Sequence, residues 1–360
     1  MEIYLDKYGS IVDGYETFMS SPPVSHGDYD CLLMLSGGKD SMFMLNKLTT
    51  ETSKRIIAYT YDHPYESKYA IDNIKEIGRL IDVDYISFAS HAKYKKMMRK
   101  VFLSVDKASV PFKAEKIPCA VCSSYLIATA CLMAIDLKVP YVLYCADPVQ
   151  MLGVEHELKK MIQSLAFHLG LDFLEELLGR KAVEILEQDS LDLPLVVFPY
   201  VSMMGSYDRE AIITDVKKLG KLRPSSIGTM CSLYPLLEYY SYKNYDCCID
   251  SLELAAGARN GALPRDTLIS MIGEYRKIIL EIAVKDRLGD QDMAAIRDFT
   301  RKVHPESEVE AELLCHKIVS LRPVAQELGI LNDFLVSEVD LRSKEEDEFL
   351  RSTRDIGEDF

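Results

Sequence analysis

The chain has no run of about 18 apolar residues, and it opens on Met1, Glu2 and Asp6 rather than on the basic and apolar regions of a signal peptide. Neither a membrane association nor an export signal is expected, and the compartment implied is cytoplasmic. There the nine cysteines stay reduced, so they read as core residues, ligands or nucleophiles and not as disulfides. A basic surplus is missing as well. The formal net charge of −14 argues against a general nucleic-acid coat, whose footprint is basic. His-Glu-x-x-His, Gly-x-Ser-x-Gly and Gly-x-Gly-x-x-Gly do not occur, which removes the fingerprints of zinc proteases, serine hydrolases and dinucleotide-binding folds. No internal repeat or low-complexity tract is found.

What remains is a chain of ordinary globular composition, 48% hydrophobic and 27% charged. Its 360 residues suffice for one large or two ordinary domains. Charge is unevenly placed. Eight Lys/Arg between Lys93 and Lys116 face only Asp106 and Glu115, whereas Lys344 to Phe360 is acidic and reads as a solvated end. The basic segment, with Arg99 and Lys100 at its centre, suits a small anionic substrate or one short RNA contact, or it is simply a solvated helix face.

Apolar periodicity gives strand and helix in alternation. Leu32–Leu35, Arg55–Tyr61, Val83–Phe88 and Tyr141–Cys145 read as strands, with one further strand over Leu193–Tyr200. Helices are expected over Ser41–Leu48, Lys68–Leu80, His91–Leu103 and Cys119–Leu137, and the pattern from Met151 to Leu186 is helical. This spacing predicts a doubly wound parallel α/β sheet. Residues 1–28, with Ser20-Ser21-Pro22-Pro23, read as a lead-in; 29–235 form the α/β domain, and 236–360 a mostly helical region with the acidic tail.

Between the first strand and its helix stands Ser36-Gly37-Gly38-Lys39-Asp40-Ser41. Strand, glycine turn and helix gather backbone N–H groups around a phosphate at the positive end of the helix. Lys39 adds a mobile charge. Lys39 and Asp40 are expected on the loop rim. This is not the common P-loop, which needs another glycine in what is here the strand near Met34, and Asp40 separates the lysine from the serine. Thr60, Tyr61, Asp62 and Asp147 also fall at predicted carboxyl ends of strands, where such sheets bind ligands.

Cys119-Ala120-Val121-Cys122 opens the helix before the fourth strand. Two cysteines three apart share a helical face, and the helix N-terminus is expected to lower their thiolate pKa. A metal, an iron–sulfur cluster, a sulfur-carrying thiol or two small buried residues all suit that pattern. No second C-x-x-C exists, and Cys231 is the best remote third cysteine. His63, His91 and His156 have no ligand-like spacing and read as loop or surface residues.

The six-residue loop resembles the signature of the PP-loop ATP pyrophosphatases, adenylating enzymes with an HUP/Rossmann-like sheet. The resemblance implies ATP and Mg²⁺ at Ser36, Gly37, Gly38, Lys39, Asp40 and Ser41, adenosine along Thr60, Tyr61 and Asp62, and Asp147 as the acid available to magnesium or nucleotide. With the C-x-x-C and the later cysteine, the chain is similar to PP-loop sulfurtransferases, several of which hold a [4Fe-4S] cluster on three cysteines; Cys119, Cys122 and Cys231 would be those here. Tyr29-Asp30-Cys31, Met98 to Phe102 and Tyr245 to Arg265 are similar to ExsB-like members, including N-acetyl sugar amidotransferases. The chain departs from the tRNA enzymes in having no cysteine before Cys31 and in carrying Cys145-Ala146-Asp147-Pro148 where they often carry His-x-x-Asp-Asp. A small molecule such as a purine nucleotide is therefore expected ahead of tRNA. A sulfur donor such as a cysteine desulfurase is the implied partner, with ammonia as the rival nucleophile and a homodimer as the assembly.

Overall fold

In a computed structural model the described residues are 14–22, 27–105, 117–147, 157–188, 192–202 and 207–223, with Cys231, Leu233, Tyr234, Leu236, residues 264–266, Ile269 and Arg301 beyond them. The domain boundary near 235, the helical region after it, the acidic tail, His156 and the basic residues from Lys107 to Lys116 lie outside this set. Residues 14–20 are helical (α1). There follow β1 (Cys31–Met34), α2 (Lys39–Glu51), β2 (Ile56–Asp62), α3 (Lys68–Leu80), β3 (Asp84–Ala89), α4 (His91–Val105), α5 (Ile117–Leu137) and β4 (Tyr141–Tyr144). Then come α6 (Leu158–Leu169), α7 (Leu171–Leu178), α8 (Arg180–Glu187), β5 (Leu195–Val197), α9 (Pro199–Ser202) and α10 (Arg209–Leu219).

The five strands form one sheet in the order β3-β2-β1-β4-β5, every pair parallel. Because strand side chains alternate between faces, the strands supply two cores. Leu32, Met34, Ile57, Tyr59, Tyr61, Val142 and Val196 face one way, onto Tyr94 and Met97 of α4, Val121 to Ala134 of α5, and α6, α7 and α8. Cys31, Leu33, Leu35, Ile56, Ala58, Leu143 and Val197 face the other, onto Phe18 of α1, Met42 to Leu48 of α2, Ile77 of α3, and Ile212 and Val216 of α10. Both faces of the inner strands are covered, which explains their continuous apolar runs. The doubly wound α/β architecture follows.

Three features differ from the sequence expectation. The lead-in carries a core helix, for Phe18 is fully buried and packs edge-on to Tyr141, 5.3 Å between ring centroids. α10 is an additional helix, begun by the Asp208 carboxylate accepting from Ala211 N–H. Although no unbroken apolar run exists, α5 is long and apolar enough to cross a membrane by length and composition. More than half of it is buried in the first core, against β1, β2, β4 and α6, so its apolar character is accounted for by packing.

Candidate functional site

Strand order reverses between β1 and β4: β2 and β3 lie to one side of β1, β4 and β5 to the other. At such a switch point the loops leaving adjacent strands part and open a crevice at their carboxyl ends. The loop after β1 is Leu35 to Gly38, and the one after β4 contains Asp147. β1 and β2 stay tied beyond their ladder, because Leu35 N–H donates to Tyr59 O (2.7 Å) and the Thr60 hydroxyl donates to Leu35 O (2.6 Å). The chain then turns at Gly37, where φ is +70° and an added Cβ would lie 2.3 Å from the Ala70 carbonyl oxygen of α3. Only glycine satisfies both the dihedral and the contact.

Inside the turn, Ser36 N–H donates to Ser41 Oγ (3.2 Å), whose hydroxyl donates to Gly38 O (3.1 Å). Gly38 is the N-cap of α2 and has no side chain with which to cap it. A helix end of this kind leaves backbone donors for an anion.

Lys39 and Asp40 are not on the rim. Each is only 8% exposed, because the helix begins at Lys39 and its first turn is roofed by α9 and the residues before α10. Lys39 Nζ lies 2.6 Å from Asp40 Oδ2. Tyr207 donates to Asp40 Oδ1 (3.0 Å), and the Tyr200 hydroxyl donates to Asp40 O (2.8 Å). Burial and the charges of Asp40 and Asp147 raise the Tyr207 phenol well above its ordinary value, so it stays protonated and donates to Asp40. Burial raises the Asp40 pKa, Lys39 pulls it back, and the charge of Asp147 raises it again. A buried acid whose charge is opposed by a second carboxylate makes a place where added positive charge is favoured.

The other expected nucleotide contacts are arranged differently. Thr60 spends its hydroxyl on Leu35. Tyr61 turns to the opposite face of the sheet, against the Tyr125 hydroxyl (3.1 Å). Asp62 is half exposed, 3.5 Å from His91 Nε2. Of these three side chains, that of Thr60 bonds to the loop after β1. Arg99 and Lys100 lie eight and nine residues down α4 from His91, about 12–14 Å away from the carboxyl edge along the helix axis. Lys100 donates to Leu169 O at the end of α6, and its ammonium lies 4.7 Å from the Phe173 ring centroid. Arg99 is exposed.

α5 runs antiparallel to the strand it feeds, so its first turn returns to the carboxyl edge. Tyr144, the last residue of β4, packs with Cys119 and Cys122 against the first core, and burial pushes its phenol up to about 12. Cys145, the next residue, packs against the second core, where burial and then the charge of Asp40 raise its thiol pKa. The head of α5 and the glycine loop thus lie along one edge of the sheet.

The structure corrects the thiolate expectation for Cys122. Burial pushes this thiol up to about 11, against a small opposing effect of the Tyr94 hydroxyl 2.9 Å from Sγ. The helix starts at Ile117, which puts Cys122 in its second turn, where the dipole has faded. Cys231 is brought into the same neighbourhood. It pairs with Glu66 through a backbone bridge, and it lies with Cys122 and Glu66 about the Tyr94 hydroxyl. Even so, among the described residues no three His, Cys, Asp or Glu side chains converge closely enough to hold a metal ion.

Sequence reading missed several groups that shape this edge. His63 is buried, pairs with Glu66 (2.9 Å) and stacks on Tyr94, 5.0 Å between centroids; it is no surface histidine. Asn73 of α3 donates to Gly37 O (2.9 Å). Tyr200 and Tyr207 come from about 160 residues along the chain. The i to i+3 spacing of His63 and Glu66 was a visible signal; for Asn73 and the tyrosines there was none.

No family model matches the chain, and no curated protein matches it. Solved structures similar to it include the U34-tRNA thiolase NcsA from Methanococcus maripaludis with its [4Fe-4S] cluster, 12% identical, covering 77% of this chain and 80% of that one, with a TM-score of 0.36. NMN synthetase from Francisella tularensis is 13% identical over 68% of this chain and 94% of that one, TM-score 0.27. An NH3-dependent NAD synthetase from Campylobacter jejuni is 12% identical over 60% and 92%, TM-score 0.27. All three are PP-loop ATP pyrophosphatases, the family that the glycine loop resembles. At these TM-scores the likeness carries no argument of its own, and the fold rests on the strand order.

Proposed function

We propose that this chain is an ATP-dependent adenylating enzyme of the PP-loop kind, acting on a small-molecule carbonyl and replacing its oxygen with sulfur. The observation that carries the reading is the turn at Gly37, closed to every other residue type and set at the switch point, with Asp40 and Asp147 on the segments that leave the two strands there. A triphosphate lies over residues 36–41, with Lys39 at its oxygens. The carbonyl oxygen of the acceptor attacks the α-phosphorus, the α–β bridge breaks, and pyrophosphate leaves with the bridging electron pair. Asp40 and Asp147 would hold Mg²⁺, since each carboxylate charge disfavours the other and a cation between them would offset both; when bound, it would supply charge compensation at the departing oxygens.

The adenylated carbon is then attacked by sulfur, and AMP departs carrying the former carbonyl oxygen. Cys119, in the first turn of α5, is the better sulfur carrier, loaded as a persulfide by a donor such as a cysteine desulfurase. Its outer sulfur attacks the adenylated carbon. The Cys122 thiol then gives up its proton and attacks Cys119 Sγ, releasing the thiolated product and leaving a Cys119–Cys122 disulfide for an external dithiol to reduce. Cys122 is protonated at neutral pH and held to Tyr94, which suits a supporting thiol. The described donors do not fit an iron–sulfur cluster, and no step uses one. The same protonated Cys122 favours a second reading, in which the pair is structural and ammonia displaces AMP.

Single-turnover assays with ATP, a nucleotide or amino-sugar acceptor, and either a cysteine desulfurase with cysteine as persulfide donor or ammonia distinguish these readings. Thiolated product lost in Cys119→Ser, with pyrophosphate still released, is the expected outcome. Aminated product with full activity in that variant would replace sulfur by ammonia.

A further inference from the structure

Asn73 has more to do than steady the glycine turn. Its amide nitrogen donates both to Gly37 O (2.9 Å) and to Arg223 O (3.0 Å), while its amide oxygen accepts from Arg223 N–H (2.8 Å). The side chain is 1% exposed and every one of these bonds is internal. The backbone of Arg223, 150 residues away in sequence, is thereby fixed one amide's width from the turn. The Arg223 side chain itself is exposed. Its guanidinium lies 5.7 Å from the ring centroid of Tyr69. Tyr69 precedes Ala70, the residue whose carbonyl closes over Gly37. The Arg223 backbone is thus locked to the glycine turn through Asn73, and its guanidinium lies over the ring of the residue before Ala70, which closes that turn.

We infer that Arg223 is a second cation of the polyphosphate site, binding the phosphoryl oxygens beyond the α-phosphate, and that Asn73 is the positioning residue that keeps it there. This rests on the reading of residues 36–41 as a phosphate loop. The chemistry suits the ligand: a guanidinium offers paired donors to phosphate oxygens, and stacking on Tyr69 limits the freedom lost when it binds. Lys39, by contrast, sits inside the site against Asp40. The two cations come from different parts of the chain, one from α2 and one from the segment after α10.

Calorimetric titration of the full chain with inorganic pyrophosphate, ATP and AMP tests the inference. Arg223→Gln is expected to weaken pyrophosphate and ATP by about tenfold or more, the scale of a lost charged hydrogen bond, and to leave AMP little changed. Arg223→Lys recovers part of the loss. Asn73→Ala is expected to reproduce the selective loss with the arginine still present. As Asn73 is buried, the exposed Arg223 variants keep the test decisive should that protein fail to fold. Wild-type chain that binds neither pyrophosphate nor ATP overturns the phosphate-loop reading itself. Wild-type binding with Arg223→Gln indistinguishable from it, or equally weakened for AMP, overturns this inference alone.

Discussion

At the scale of single residues the site turns on how little room Gly37 has. A methyl group there meets the Ala70 carbonyl at 2.3 Å, and backbone cannot swing aside as a flexible side chain does. Gly37→Ala is expected to cost about 1–3 kcal/mol from the dihedral alone, with further loss from the clash, and to abolish ATP binding. At Gly38 the added Cβ would meet only Ser36 Oγ, at 3.3 Å. Gly38→Ala should therefore change the urea midpoint far less. Equal midpoints for the two variants would contradict the geometry. Cys122 supplies a pH-dependent counterpart. Its thiol titrates at about 11 instead of the ordinary 9.0, so between those values the native state holds a proton that the unfolded chain has released. Stability from this group is complete below pH 9 and declines as pH rises toward 11. Peptide-resolved alkylation should show Cys122 slow at pH 8 and accelerating through pH 11. Because the Tyr94 hydroxyl favours the thiolate, Tyr94→Phe should shift that rise to still higher pH; a rise near pH 9 in the wild type would contradict the burial.

The elements explain what could be read from sequence and what could not. β1, β2 and β4 announce themselves as short apolar runs, and α3 spans Lys68–Leu80 as its periodicity predicts. Period-2 and period-3.6 patterns are local and survive in the sequence. α1 and α10 were missed because each buries a narrow stripe, Tyr15 and Phe18 in one and Ile212, Ile213 and Val216 in the other, amid polar residues. The long-range pairs were invisible for a different reason. Tyr207 and Asn73 are ordinary residues until the fold sets them against Asp40 and Gly37. Cys122 was misjudged from one uncertain boundary, since a helix start two residues earlier moves it out of the first turn. α3 also shows how an element serves the site. Its N-cap Ser67 accepts from Ala70 N–H (3.1 Å), fixing the turn that closes over Gly37. Ser67→Ala should cost about 1 kcal/mol and weaken ATP binding as well. A stability loss with unchanged ATP affinity would show that the α3 cap and the glycine turn are independent.

For the molecule as a whole, the strand order places the glycine turn, Asp147 and the head of α5 along one edge, and the chain after β5 returns Tyr200, Tyr207 and Arg223 to it. Residues from the first 40 and from beyond 200 meet there. The expected consequence is a specific bond cleavage, and it is tested most directly by following ATP labelled at the α-phosphorus during incubation with the protein, magnesium and a small-molecule extract. The account predicts label in AMP or an AMP ester, one pyrophosphate for each, and no such product from Lys39→Ala. Label in ADP with release of orthophosphate, or AMP formed as fast by Lys39→Ala as by the wild type, would contradict it.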